Sequence, residues 1–235
     1  MTIPLLIATS FSIGFFIESI IGFGGGIIAY AILGYFMDVK EMILSGLYIG
    51  TCSSAMILLS DYKRFSYKVY ISTIPVCFAG TVFGVYGFTI FSSELLSIIL
   101  GILLIILALK TSFFDHIKPP RYLKNLLLLI GGSSQGMFGI GGPFFVNALK
   151  PDFESKSHLR ATIASFFVSF NIVRFFQLSY SNEIKPSFFF EIWWTVIPIS
   201  LAIYLGFKVH AKINEDFFKK GIGIMTMISG IFFLL

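Results

Sequence analysis

Glu18-Ser-Ile-Ile-Gly22-Phe-Gly24-Gly25-Gly26 and, 117 residues later, Gln135-Gly-Met-Phe-Gly139-Ile-Gly141-Gly142-Pro143 decide how this chain folds. Both stretches interrupt long apolar runs. A glycine in a helix interior costs about 1 kcal/mol relative to alanine, so a cluster of them marks deliberately broken backbone. Broken backbone at membrane depth persists only where it is buried in protein or lines a cavity. Two breaks at matching positions of two halves point to a transporter's binding site.

The surrounding composition puts those breaks in a bilayer. The chain has 235 residues, 56% hydrophobic and 12% charged, with a mean hydropathy of +0.89; soluble domains carry about 25% charged residues. A span needs about 20 mostly apolar residues. Such stretches lie near 41–60, 69–88, 93–110, 157–180, 187–207 and 217–235, and two longer ones, 3–35 and 122–150, hold the glycine breaks. Continuous apolar runs without strict alternation predict helices rather than a barrel. The formal charge of +5 reads as cytoplasmic loop charge, and a nucleic-acid partner is not expected. The amino-terminal Met-Thr-Ile-Pro-Leu-Leu-Ile lacks a basic n-region and is expected to stay in the fold. Cys52 and Cys77 fall inside spans without CxxC or Cys/His spacing, so they read as packing residues, and no metal or cofactor is expected.

The two halves repeat. A shift of 117 places Gly14 on Gly131, Glu18 on Gln135, Gly22 on Gly139, Gly24 on Gly141 and Gly25 on Gly142; a shift of 123 places Ile74-Pro75 on Ile197-Pro198. The expected architecture is an all-α polytopic membrane protein with two inverted repeats, residues 1–115 and 116–235, joined by a linker over Thr111 to Tyr122. Each repeat is a broken or re-entrant helix pair followed by three transmembrane helices. Charge decides the topology. If all eight segments crossed, the two faces would carry eight Lys and Arg each; with the second breaker re-entrant they carry fourteen and two, leaving Arg174 inside a span. Symmetry makes the first breaker re-entrant as well, so each half crosses an odd number of times and the halves lie upside down to one another. Their glycine tips are then expected to meet near mid-bilayer. Tyr62, Tyr67, Tyr122, Tyr180, Trp193 and Trp194 fall near span ends, as belt aromatics do.

The chemistry is expected at the breaks. Pro143 suits a first helical turn, where its missing N–H costs nothing, and Gly26 holds the equivalent place in the first half. A helix starting there offers amide N–H groups and partial positive charge to an anion. The expected solute-binding set is Gly22, Gly24, Gly25, Gly26, Gly139, Gly141, Gly142 and Pro143, with Ser134, Gln135, Asn147, Asn171 and Arg174 supplying polar or charged contacts. The bland alternative is that the glycines only let helices pack closely. Glu18, one turn before Gly22, is costly in a bilayer and is the proton-coupling candidate; its alternative role is to pair with a cation. Its counterpart Gln135 cannot titrate. Arg174, with Asn171 one turn earlier, holds the anion, neutralises Glu18, or snorkels to the surface.

The paired motifs GFGGG and GMFGIGGP, each opening a four-segment half, together with Arg160-Ala-Thr162 followed by Asn171 and Arg174, resemble the sulfite exporter TauE/SafE family. The resemblance covers essentially the whole chain. It implies a multi-pass cell-membrane exporter of small anions such as sulfite, organosulfonates or related organic acids. The expected function is secondary transport by alternating access around a mid-membrane site, with the anion, the lipid bilayer and a coupled proton as partners. An anion channel is the alternative from another class. An intramembrane enzyme is less expected, since there is no HExxH and no close acidic pair inside a span, and hence no catalytic residue to name.

Overall fold

The computed structural model describes residues 2–21, 24–113, 120–209 and 215–235. Among them it has eleven α-helices and no strand: α1 (Ile3–Ile21), α2 (Gly25–Leu33), α3 (Val39–Asp61), α4 (Tyr67–Ile90), α5 (Ser93–Phe113), α6 (Lys124–Phe138), α7 (Gly142–Leu149), α8 (Lys156–Tyr180), α9 (Pro186–Ile192), α10 (Val196–Val209) and α11 (Glu215–Phe232). Six stretches among the described residues are long and apolar enough to cross a membrane, from Ile3–Ile20 to Pro186–Gly206. The protein is an integral, multi-pass helical membrane protein.

Both glycine clusters break the helix. α1 ends at Ile21 and α2 begins at Gly25, with Gly24 between them at φ +98°; Gly22 and Phe23 lie outside the described residues. α6 ends at Phe138, and Gly139 at φ +77° turns the chain toward α7, whose first turn holds Pro143. Left-handed backbone at these two positions is what makes glycine the suitable residue.

The chain forms two compact units, each drawing helices from both sequence halves: Met1–Ile49 with Phe91–Ile117 and Pro186–Leu235, and Gly50–Ile90 with Lys118–Lys185. In the first, α2 folds back along α1. The Phe11 and Tyr30 rings meet edge to face at 6.2 Å, and a Cβ on Gly14 would strike the Gly25 carbonyl. α10 packs along α1, and α11 packs along both α5 and α2. The Ser229 hydroxyl donates to the Ala31 carbonyl at 3.3 Å, tying α11 to α2.

In the second unit α7 folds back along α6. Phe144 and Phe145 lie against Gly131, and an ion pair between Lys124 and Asp152 joins the start of α6 to the turn after α7. The segment therefore returns to the level at which it set out. Phe145 then packs among Phe166, Phe167 and Phe170 of α8, with centroids 5.8–6.0 Å away, and the Tyr70 hydroxyl shares a 2.6 Å hydrogen bond with Ser169. α8 is thereby held in register with the broken segment.

Two differences from the sequence reading have local causes. The run 187–207 is not one helix, because residues Trp193–Thr195 tighten into a 3-10 turn between α9 and α10. Pro198 accounts for this: it has no N–H to give the Trp194 carbonyl, and its ring crowds that group. The Thr195 hydroxyl donates to the Ile192 carbonyl at 2.6 Å. The linker expected from Thr111 begins later, since α5 continues to Phe113; Asp115, His116 and Lys118 lie outside the described residues.

α4 and α6 approach so closely that four glycines form their contact. A Cβ on Gly80 or Gly84 would meet α6 backbone, and one on Gly132 or Gly136 would meet α4 backbone at Cys77 and Thr81. Both helices thus carry a glycine-x3-glycine face, the device that lets intramembrane helices pack without a hydrophobic driving force. Gly132→Val should force them apart at a cost of about 3 kcal/mol, the upper end of overpacking penalties. Thermal unfolding in detergent measures this, and a wild-type midpoint would refute the close approach.

Candidate functional site

A helix that stops in apolar surroundings leaves carbonyls at its end and amides at the next start without intrahelical partners. In the second unit these groups are met by side chains. The Gly139 N–H donates to the Gln135 carbonyl at 2.9 Å, and the Gly141 N–H donates to Gln135 Oε1 at 3.0 Å. The Gln135 Nε2 in turn donates to Asn171 Oδ1 at 3.2 Å. Arg174, one turn further along α8, donates from Nη1 to the same Asn171 oxygen at 3.3 Å and from Nε to the Gly136 carbonyl at 3.0 Å. Arg174 is 1% exposed, Gln135 2% and Asn171 3%.

The orientation of each group in this chain is forced by its neighbour. Gly141 offers only a donor, so the Gln135 oxygen faces it and the Gln135 amide faces away, toward Asn171. Two donors converge on Asn171, so its oxygen meets them and its Nδ2 points elsewhere. Arg174 does not snorkel. Its charge is held at the broken end of α6, where a cation also complements the negative end of the helix dipole.

The other expected residues of this unit flank that network. The Ser134 hydroxyl, 6% exposed, donates to the Ile140 carbonyl at 3.4 Å across the break. Asn147 lies one turn down α7, its Nδ2 donating to the Pro143 carbonyl at 2.7 Å. Phe144 and Phe145 N–H groups both donate to the Gly141 carbonyl at 3.1 Å, Pro143 has no N–H, and Gly141 is occupied by Gln135. At the start of α7 the Gly142 amide is thus the one that none of these bonds takes up.

The first unit solves the same problem with an acid. The Gly25 N–H donates to Glu18 Oε2 at 2.6 Å, and a Cβ on Gly25 would touch that carboxylate and the Phe15 ring. Glu18 and Gln135, aligned by the 117-residue shift, therefore both use a side-chain oxygen to receive an amide at the start of the short helix that follows. Among the described residues the partner of Glu18 is the Gly25 backbone amide. The Ile28 N–H donates to the Gly24 carbonyl at 3.1 Å, which opens α2, with Gly26 in its first turn.

Sequence reasoning missed Gly136, whose carbonyl anchors Arg174, and the Gly80 and Gly84 face of α4. Glycine-x3-glycine spacing was the available signal for α4; nothing in the sequence marks a particular carbonyl. Among the described residues no group of three or more His, Cys, Asp and Glu is placed to hold a metal ion, and Cys52 and Cys77 are free thiols.

Compared with known families, residues 6–233 match the model described as sulfite exporter TauE/SafE. No curated protein and no solved structure matches the chain.

Gln135→Leu should leave the Gly141 amide without its acceptor and remove a donor from Asn171, at a cost of about 1–3 kcal/mol for a buried group left unmade. Thermal unfolding in detergent reads this, and Gln135→Glu, which keeps the acceptor for Gly141, should lose less.

Proposed function

The chain belongs to the sulfite exporter TauE/SafE family, and from that premise we propose a secondary transporter, an exporter of sulfite, sulfonates or related small organic anions at the cell membrane. It works by alternating access around a mid-membrane site. The carrying observation is the buried Arg174 guanidinium set beside the break between α6 and α7, with the Gly142 amide at the following helix start. Positive charge and an oriented amide in low-dielectric surroundings favour a small anion, and the interaction is stronger there than in water. Gly139, Gly141 and Pro143 shape the approach, and Ser134, Gln135, Asn147 and Asn171 are the neutral polar groups around it.

Two features support inverted repeats over residues 1–115 and 116–235. The breaker helix of each half packs along the second plain span of the other, α1 on α10 and α6 on α4. The fold-back of α7 toward the start of α6 also supports re-entry on one side, the arrangement in which basic residues divide fourteen to two.

In the first half Gly24, Gly25 and Gly26, with Gly22 outside the described residues, supply the counterpart solute contacts, and Glu18 couples anion movement to a proton. Its carboxyl receives the Gly25 amide whether charged or neutral, but only the charged form opposes an anion near the start of α2. Gln135 does the matching work without titrating, so proton chemistry belongs to the first half. An anion channel would use the same helix starts, and would conduct without saturation or a coupled ion.

Proteoliposome flux of sulfite, thiosulfate and sulfonates, with and without an imposed proton gradient, tests this reading. Transport should saturate and respond to the gradient; conduction without saturation would favour the channel. Glu18→Gln, which supplies the same kind of acceptor to Gly25 that Gln135 supplies to Gly141, should abolish the gradient response while anion exchange continues. Proton coupling unchanged in that variant would remove Glu18 from the mechanism.

A further inference from the structure

Ser53 on α3 has a hydroxyl without a hydrogen-bond partner, though the residue is 1% exposed. It shares this with Ser10 and Ser12 of α1, whereas most helical hydroxyls of the molecule bond locally. Ser19, Ser45, Thr81, Ser133, Thr162, Ser165 and Ser200 all donate back to a carbonyl three or four residues earlier, as helical serines and threonines in apolar surroundings do. A buried hydroxyl that forgoes that bond carries a desolvation cost and is free to donate to a bound group.

The surroundings say what that group meets. Gly50, three residues earlier on α3 and on the same flank, faces Asn171 of α8. A Cβ built on Gly50 would have the Asn171 Nδ2 at 3.8 Å as its one neighbour within 4 Å, so there is room at that point. Asn171 Nδ2 faces this space because its oxygen is committed to Gln135 and Arg174. The flank of α3 beyond Gly50 continues with buried Ser53 and Ser54, and Arg174 lies one turn along α8 from Asn171. The Asn171 amide thus faces Gly50, less than one turn from the unpartnered Ser53 hydroxyl, with the buried Arg174 guanidinium one turn along α8.

We propose that Ser53 and the Nδ2 of Asn171 form a seat for an oxygen of the transported oxyanion, with Gly50 leaving the room it occupies. Ser53 is a specificity-determining residue: its hydroxyl donates to an anion oxygen, which favours sulfite or a sulfonate over a halide that offers no directed lone pair. Gln135 acts at one remove, as a positioning residue that fixes the amide orientation of Asn171. The inference rests on the reading of the chain as an anion transporter, and adds to it which groups the anion touches on α3 and α8.

The test compares wild type, Ser53→Ala, Ser53→Thr and Gly50→Ala, using sodium sulfite as the probe. The wild type is measured first, and should be stabilised by sulfite in detergent and should transport it in proteoliposomes. Ser53→Ala removes a hydroxyl that bonds nothing in the protein, so without sulfite its thermal midpoint should not fall. Its stabilisation by sulfite should need about ten times more sulfite, and KM should rise by about the same factor with Vmax largely retained, as expected for one lost hydrogen bond to a charged ligand. Ser53→Thr, which keeps the hydroxyl, should restore both. Gly50→Ala meets its neighbour at ordinary contact distance and should fold, yet raise KM by filling the seat. A transporting wild type whose Ser53→Ala variant keeps KM and the sulfite shift overturns the seat alone, as does a Ser53→Ala variant destabilised equally with and without sulfite. A wild type that neither binds nor moves sulfite, thiosulfate or a sulfonate overturns the transporter reading, and the seat with it.

Discussion

A backbone amide or carbonyl released where a helix breaks inside a bilayer must find a partner within the protein or line a cavity, because lipid supplies none. The two glycine motifs break helices in this way, and much of the described architecture follows from how those groups are met. In the second unit Gln135, Asn171 and Arg174 close the gap between α6 and α7 as one connected chain of hydrogen bonds. In the first unit Glu18 receives the Gly25 amide. The same structural task is given to an amide side chain in one half and to an ionisable one in the other. A neutral side chain in one unit and an acidic one in the other thus perform the same capping on one backbone plan.

Closing the breaks demands close packing, and glycine supplies it in two distinct ways. Gly24 and Gly139 adopt left-handed backbone that turns the chain back on itself. Gly80, Gly84, Gly132 and Gly136 instead remove side chains from the α4 and α6 contact, so that backbone meets backbone. Within the break motifs themselves Gly25 and Gly141 are also closely packed, so close packing and turning occur side by side there. Phe145 completes the arrangement by inserting among the α8 phenylalanines, which holds Asn171 and Arg174 at the height of the break. A polar network placed this firmly can present an oriented donor without reorganising when a ligand arrives.

Each compact unit is built from both halves of the sequence, since α6 lies along α4 and α1 along α10. Neither half can therefore bury its broken segment alone. Each hairpin is covered in part by a helix of the other half, α10 on α1 and α4 on α6, while α8 of its own half supplies the polar partners at the second break.

Much of this was legible in the residues. Apolar runs of span length, the two glycine clusters, their register of 117 residues and the proline in the first turn of α7 are local or periodic properties, and a helix in lipid follows from them because its backbone bonds are all made within the segment. The turn at Trp193–Thr195 was hidden inside an apolar run, because one proline acts on the carbonyl four residues behind it while hydropathy does not change. The sequence by itself determined a helical membrane protein with two broken segments and named Glu18, Gln135, Asn171 and Arg174 as the polar residues to explain. Only the tertiary structure decided which atom of each faces which, because a hydrogen bond is directional and its partner is chosen by packing between helices far apart in the chain. That is also why Ser53, one more small residue on an apolar helix, carried no signal until its hydroxyl was found buried and unbonded.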